Sequence, residues 1–377
     1  MGVGRRDFLA QAARAGLAAA AIPPALRVLV DFEAARAASG GGPCHVKHGL
    51  QLEDDRVQCL VCPMNCILDT GEVCFCRTRM NLGGKLVNNA YGNPCIVRVD
   101  PVEKTPLNHF LPGEKALAVA TGGCNMRCLY CQNWREAQSE PKDLKNVDLP
   151  AEKAASGAAE QALKLIAFTY TDPVVFSEYA LEIATLGRER GIRSVLATGS
   201  YFEPEPLKEL AKVVSGFAMA VKGFSPDFYR KVCGQKLSPV LKAVETVKAT
   251  GAWLEITTLI VPTLNDDLAL VKEQCRWHRK ALGPDVPLHF ARFIPEYKLL
   301  ELPRTPVATL EDCRKVALDE GLRFVYLSNV APHEGNRTAC PKCSKVLVDR
   351  LGFKILSSCL DKGACPGCKT RIPGVWA

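Results

Sequence analysis

The fold is decided by the stretch Ala116-Leu-Ala-Val-Ala120-Thr-Gly-Gly-Cys124-Asn-Met-Arg-Cys128-Leu-Tyr130-Cys131-Gln-Asn-Trp134. Its first five residues are apolar and predict a buried strand, and a loop with the cysteine spacing C-x3-C-x2-C follows almost at once. In barrels of parallel strands, reactive groups lie where the strands end. The stretch therefore predicts a strand that carries three cysteines to the reactive end of a sheet.

The three cysteines, Cys124, Cys128 and Cys131, supply one thiolate fewer than a closed metal site needs. A structural zinc ion takes four ligands, and so does an ordinary [4Fe–4S] cluster. Three thiolates leave one iron open to the amino and carboxylate groups of S-adenosylmethionine (SAM). One-electron reduction then cleaves the S–C5′ bond and releases a 5′-deoxyadenosyl radical that abstracts hydrogen. The alternative is a zinc knuckle completed by a distant Cys or His, but Tyr130 and the preceding Gly-Gly favour the radical site.

Composition sets broad limits on the chain. It has 377 residues, of which 47% are hydrophobic and 23% charged, so one large domain with smaller additions is expected. The net charge of +8 is spread over mixed signs, with no basic arm, so we expect no nucleic-acid partner. The apolar N-terminal stretch is too short for a stable membrane span.

The middle of the chain alternates strand-like and helical patterns, which predicts βα units in a parallel sheet. Six or seven such units suit an α/β fold with a partial (β/α)6 barrel of the TIM type better than a closed barrel of eight. The predicted strands are 116–120, 165–169, 194–198, 217–221, 253–260 and 288–293, with a weaker one at 324–327. The predicted helices are 174–190, 206–214, 239–250, 267–282 and 309–320.

Four regions follow from this reading. Residues 1–38 resemble a twin-arginine signal or leader, with Arg5-Arg6 before an Ala-rich apolar stretch, and this suggests export to the periplasm. The chemistry predicted above is cytoplasmic, so the two indications conflict. Residues 40–108 and 336–377 are Cys-rich units that flank a core barrel at 109–335.

The N-terminal unit offers a four-thiolate set. Its members are Cys59, Cys62, Cys66 and Cys76, and Cys44, Cys74 and Cys95 are spare thiols. They predict either a zinc knuckle or an auxiliary iron–sulfur cluster, and their spacing does not distinguish the two. Zinc is favoured because it is the commoner occupant of such sites.

The C-terminal unit carries two C-x2-C pairs, which predict a zinc ribbon. The alternatives are a second auxiliary cluster or, in an exported chain, two disulfides. The pairs are Cys340/Cys343 and Cys365/Cys368, and Cys359 lies outside the set. The isolated cysteines Cys233, Cys275 and Cys313 are expected to be small buried apolar residues.

Further stretches resemble a known family. They include Cys59-Leu-Val-Cys62-Pro-Met-Asn-Cys66, Asp100-Pro-Val-Glu-Lys-Thr-Pro-Leu107, the cluster loop, Thr169-Tyr-Thr-Asp-Pro173, Lys222-Gly-Phe224 and Ile372-Pro-Gly-Val-Trp376. Together they resemble radical SAM enzymes, and most closely the radical SAM enzyme of the AmmeMemoRadiSam system, which is related to pyruvate formate-lyase-activating enzymes. The resemblance implies a partial (β/α)6 barrel, a [4Fe–4S] cluster and SAM.

The same resemblance suggests which residues bind cofactor. Tyr130, Thr171, Asp172 and Asn265 are predicted to contact SAM, although Asp172 before Pro173 is also a good helix cap and the strand and turn before Asn265 could be plain structure. Lys222 and Arg292, at strand ends, could meet the SAM carboxylate or an anionic substrate and are the predicted catalytic residues.

Three functions are compatible with these residues. The first is a radical SAM enzyme acting on an unknown substrate, with a low-potential electron donor and partner proteins of the AmmeMemoRadiSam type. The second is an activase that installs a glycyl radical on a partner protein. The third is a non-enzymatic iron–sulfur or zinc electron-transfer protein. Cys-rich ends that cover the barrel mouth would favour a small substrate.

Overall fold

The computed structural model describes residues 44–377. The predicted twin-arginine leader at 1–38 lies outside them. In residues 44–377 there is no helix with the length and apolar character needed to cross a bilayer.

A single sheet of eight strands forms the core. Seven strands are parallel and adjacent in chain order, and the first edge strand pairs antiparallel with its neighbour. The strands are β7 (Ile96–Pro101), β8 (Lys115–Ala120), β9 (Leu165–Phe168), β10 (Arg193–Thr198), β11 (Val214–Ala220), β12 (Trp253–Ile260), β13 (Leu288–Arg292) and β14 (Val325–Ser328). The predicted α/β partial barrel is confirmed. Strand β7 falls within the predicted N-terminal unit but joins this sheet.

Helices connect the parallel strands and cover the outside of the sheet. They are α1 (Trp134–Ala137), α2 (Ala151–Glu160), α3 (Ser177–Glu189), α4 (Pro204–Ala211), α5 (Pro226–Phe228), α6 (Leu237–Thr250), α7 (Leu268–Ala281) and α8 (Val307–Asp319). A 3-10 turn, Pro173–Phe176, leads into α3, and a single π-helical turn, Tyr229–Cys233, follows α5.

The N-terminal unit lies at the mouth of the barrel, where the parallel strands end. It consists of two three-stranded sheets built from β1 (Cys44–His45), β2 (Gly49–Gln51), β3 (Val57–Cys59), β4 (Ile67–Leu68), β5 (Arg79–Leu82) and β6 (Lys85–Asn88). Buried Arg79 pairs with Glu178 of α3 at 2.8 Å and donates to the carbonyl of Val174 at 2.9 Å. Because removing one partner of a buried ion pair costs several kcal/mol, this contact fixes the unit to the barrel.

The C-terminal unit lies at the opposite end, against the loops that precede the parallel strands. It contains β15 (Thr338–Ala339), β16 (Val346–Leu351) and β17 (Lys354–Ser358). Arg350 donates to the carbonyl of Asn108 at 2.7 Å, and the backbone of Val375 exchanges hydrogen bonds with His109 and Leu111. The expectation that both Cys-rich ends cover the mouth is therefore wrong for this unit.

Candidate active site

The cluster loop leaves the end of β8 at the barrel mouth. Cys128 is buried, and Cys124 and Cys131 are half-buried. The backbone N–H groups of Arg127 and Leu129 donate to the carbonyls of Cys233 and Val232, both at 2.9 Å. The loop is thus held by hydrogen bonds from the π-helical turn after β11, independently of any bound metal.

Cys233 brings a fourth thiol to this loop, which the sequence reading missed. It is buried, as expected, but it hydrogen-bonds to the Cys128 sulfur and lies 3.7 Å from the Tyr130 hydroxyl. The bond from Cys233, together with the charge of Lys222, outweighs burial and lowers the pKa of Cys128 to about 6. Cys128 is therefore held close to its thiolate form, which is the form that binds metal.

The buried carboxylate of Asp172 bridges the ends of β9 and β10. It accepts hydrogen bonds from the backbone N–H of Val174 at 3.2 Å, the hydroxyl of Thr198 at 2.8 Å and the backbone N–H of Gly199 at 2.7 Å. Burial raises the pKa of Asp172 despite these donors. Thr171 beside it donates to the carbonyl of Thr121 at 2.8 Å. The capping role of Asp172 is thus present, and its SAM contact stays a prediction.

Lys222 extends from the end of β11 toward the cysteines. Its ammonium lies 6.0 Å from the centre of the Tyr130 ring. Burial alone would lower the pKa of Lys222, but the negative charges of Cys128 and Asp172 raise it above its usual value. Lys222 therefore stays charged, and it places a fixed cation beside the cluster loop.

Asn265 and Arg292 lie at the same mouth but have protein partners. The Asn265 amide donates to the carbonyls of Lys222 and Leu259, both at 2.8 Å, and accepts from the backbone N–H of Val261. Arg292 is half-buried and donates through Nε to the carbonyl of Thr305 at 2.7 Å. Both residues position strand ends, and their predicted contacts with SAM or substrate remain predictions.

Five N-terminal cysteines line one small cavity at the mouth. They are Cys59, Cys62, Cys66, Cys74 and Cys76, and Arg79 lies beside them. Cys74, which the sequence reading treated as spare, lines the same cavity as Cys59, Cys66 and Cys76. The other two spare thiols do not line this cavity: Cys44 lies in β1, and Cys95 donates to the carbonyl of Ala120.

The C-terminal cysteines form a compact quartet. The sulfurs of Cys340, Cys343, Cys365 and Cys368 all lie within 4.8 Å of one another. Two of these sulfur pairs are Cys340–Cys368 at 3.5 Å and Cys343–Cys365 at 3.6 Å. Thiolates around one tetrahedral zinc ion lie about 3.8 Å apart, since the Zn–S bond is about 2.3 Å long. The quartet therefore has the spacing of a single-ion site.

The donor set at the cluster loop fits an iron–sulfur cluster. Soft thiolates are the ligands that such clusters take, and Cys124, Cys128 and Cys131 are free cysteines in one loop. Lys222 offsets part of the negative charge that they would carry. Cys233 contacts one of the three thiols, Cys128, so it joins the loop through that residue.

Comparison with known proteins defines the class. The sequence model of the Radical SAM superfamily matches residues 119–272, which span the cluster loop and most of the barrel. The chain therefore contains a radical SAM domain, and it is an enzyme rather than a non-enzymatic carrier. Members of this superfamily use a [4Fe–4S] cluster and SAM.

Individual relatives cover more of the chain. It is 40% identical over 324 residues to the uncharacterized protein MJ0808 of Methanocaldococcus jannaschii, a match covering 85% of this chain and 96% of that protein. A domain of a pyruvate-formate lyase-activating enzyme from Bacteroides vulgatus is 15% identical, with a TM-score of 0.38 over 43% of this chain and 98% of that one. A radical SAM methyltransferase from Sphaerobacter thermophilus is 15% identical, with a TM-score of 0.45 over 64% of this chain and 79% of that one.

Proposed function

We propose that this enzyme reductively cleaves SAM and uses the product radical to remove a hydrogen atom from a substrate held at the barrel mouth. The observation that carries the proposal is the position of Cys124, Cys128 and Cys131 in one loop at the end of β8, with the Lys222 ammonium 6.0 Å from the ring of Tyr130 in the same loop. With its cluster and SAM bound, such a site supplies one-electron cleavage of the S–C5′ bond to methionine and a 5′-deoxyadenosyl radical.

The chain's own residues bind and orient the cluster and SAM. Cys124, Cys128 and Cys131 would hold the cluster. The ring of Tyr130 packs against Phe228 with centroids 6.5 Å apart and closes one side of the loop. Lys222 is placed to neutralise a carboxylate, such as that of SAM. These groups are fixed before substrate arrives, which lowers the entropic cost of aligning the reacting atoms.

The surroundings of the mouth limit access. The N-terminal unit packs over the cluster loop, where the Arg127 guanidinium lies 3.6 Å from the centre of the Phe75 ring. On the other side the sheet ends at β14, which has a strand neighbour on one edge, β13. The outer carbonyls of β14 are covered by side chains, since Val325 accepts from Arg314 at 3.1 Å and Leu327 from Asn336 at 2.5 Å. We propose that substrate enters at the barrel mouth and that a low-potential one-electron donor protein serves the enzyme.

The test is anaerobic turnover. The purified enzyme, reduced with dithionite and given SAM, is expected to form 5′-deoxyadenosine, which is measured by chromatography and mass spectrometry. The variant Cys128→Ala should form none, whereas Cys275→Ala, which removes a buried thiol from α7, should keep wild-type turnover. If Cys128→Ala still cleaves SAM at the wild-type rate, the proposal is wrong.

A further inference from the structure

The cysteine-lined cavity of the N-terminal unit contains the ligand types that a second metal centre needs. The cavity is small, and its walls carry the sulfurs of Cys59, Cys62, Cys66, Cys74 and Cys76. Four of these cysteines are buried, and Cys66 is half-buried. Five converging thiols in a reducing enzyme are metal ligands far more often than they are packing residues.

The arrangement of the sulfurs distinguishes this cavity from the C-terminal quartet. In the quartet, all four sulfurs lie within 4.8 Å of one another, as one ion requires. No N-terminal cysteine in residues 44–377 belongs to a group of three or more ligand atoms that meets this condition. A single zinc ion must touch all its ligands at about 2.3 Å, whereas in an iron–sulfur cluster the thiolates bind different irons and can lie further apart.

The charges around the cavity suit a buried anionic cluster. Arg79 is 1% exposed and lines the cavity, so it places a buried cation beside the five sulfurs. The Thr78 hydroxyl lies 3.3 Å from the Cys76 sulfur, within hydrogen-bond distance. Fixed cations and hydrogen bonds to the ligand sulfurs are the means by which proteins stabilise and tune iron–sulfur clusters.

We propose that this cavity is a second iron–sulfur site, with four of its five cysteines as ligands. It lies directly against the loop of the first cluster, because Gly123 packs on the carbonyl of Cys76 and Arg127 donates to the carbonyl of Phe75. The inference goes beyond the proposed function and does not depend on it, since the two sites share no cysteine.

Metal content tests the proposal. Protein expressed with cluster-assembly factors and purified without oxygen should contain about eight irons per chain, about four for each of two [4Fe–4S] clusters. The triple variant Cys124→Ala/Cys128→Ala/Cys131→Ala should retain about four irons and, after reduction, an electron paramagnetic resonance signal. Iron held by this variant reports on the second site even if SAM cleavage by the wild type fails.

Paired variants locate the iron. Cys59→Ala/Cys76→Ala should lose about four irons per chain, whereas the matched pair Cys340→Ala/Cys343→Ala should keep all of its iron. Circular dichroism checks that each variant is folded. The proposal is wrong if the N-terminal cavity contains zinc in place of iron. It is also wrong if the wild-type protein contains only about four irons and the triple variant loses all of them. The wild-type measurement decides the matter even if a variant does not fold.

Discussion

Gly123 and Cys76 lie so close together that a Cβ atom on Gly123 would stand 2.5 Å from the carbonyl oxygen of Cys76. The same Cβ would stand 2.6 Å from the side chain of Thr78, and Gly123 also has a positive φ of 93°. The loop of the first cluster and the cysteine loop of the N-terminal unit therefore pack backbone to backbone. No other residue type fits at position 123.

The substitution Gly123→Ala should destabilise the protein by about 3 kcal/mol or more, because overpacking costs about 1–3 kcal/mol and a left-handed backbone conformation about 1–2 kcal/mol. Urea unfolding of the anaerobic protein measures this change. Gly157→Ala in α2 is the matched control, since a Cβ there has no atom within 4 Å. The control should be neutral or stabilising by up to about 1 kcal/mol. Equal destabilisation by the two variants would contradict the packing described.

Removal of the Cys233 thiol should leave the first cluster in place. Cys233 hydrogen-bonds to Cys128, and the open iron position needs no fourth thiolate. We expect Cys233→Ala to keep its iron and to cleave SAM, with a shifted reduction potential because one hydrogen bond to a ligand sulfur is gone. Iron analysis and a redox titration check this. If Cys233→Ala loses as much iron as Cys128→Ala while folded, Cys233 is itself a ligand.

Lys222→Met should weaken SAM binding without loss of iron. A charged hydrogen bond is worth about 1.5–3 kcal/mol, so we expect the Kd for SAM to rise about 10-fold or more. Equilibrium dialysis under anaerobic conditions measures the Kd. The exposed Lys248→Met in α6 is the control and should bind SAM as the wild type does. Unchanged affinity in Lys222→Met would remove Lys222 from the SAM site.

Disruption of the C-terminal quartet should affect stability and spare the active site. Cys343→Ala should lose about one zinc ion per chain and lower the melting temperature, because the quartet fits one tetrahedral ion and structural zinc contributes folding energy. Its cluster iron should stay constant, since this unit lies at the far end of the barrel from the cluster loop. Cys359→Ala, whose thiol is outside the quartet, should change neither quantity. Loss of cluster iron in Cys343→Ala would contradict the separation of the two ends.

His278 should make stability fall in mild acid. Its ring is fully buried in α7 beside the carbonyl of Val286 at 2.9 Å, and burial lowers the pKa of His278 to about 4. The unfolded chain takes up a proton near pH 6.5, so this stability is complete above pH 6.5 and is lost as the pH falls toward about 4. The full effect is about 3 kcal/mol.

The measurement is the pH dependence of urea unfolding from pH 7.5 to 5. His278→Gln keeps a hydrogen-bond donor and should show a shallower loss of stability than the wild type. His45→Gln, at an exposed position, should leave the slope unchanged. If the pH profiles of the wild type and His278→Gln are parallel, His278 has the same pKa in the folded and unfolded states, and the prediction is wrong.

The barrel strands could be predicted because they are short, buried on both faces and rich in apolar residues. The predicted strand 253–260 matches β12 at both ends, and 194–198 differs from β10 by one residue. Helix α2 could not be predicted, because its sequence, Ala-Glu-Lys-Ala-Ala-Ser-Gly-Ala-Ala-Glu, has no large apolar residues to mark a buried face. It is nevertheless half buried, through four alanines.

The sequence predicts the site residues that are close together in the chain and misses those that are far apart. The three cysteines of the cluster loop are recognised from their spacing. Cys233 lies 105 residues after Cys128 and reaches it through a π-helical turn, which leaves no periodic signal. Similarly, the spacing of Cys74 gives no hint that it lines one cavity with four other cysteines. The two Cys-rich units lie at opposite ends of the barrel because of tertiary packing, which the sequence pattern does not reveal.

The hydrogen bonds that Cys233 and Val232 accept from the cluster loop bear on how the enzyme survives oxygen. They join backbone to backbone and do not pass through a thiolate. If oxidation destroys the cluster, we expect the loop to keep its shape and its three cysteines to stay in place. Fresh iron and sulfide should then restore the site without synthesis of a new polypeptide.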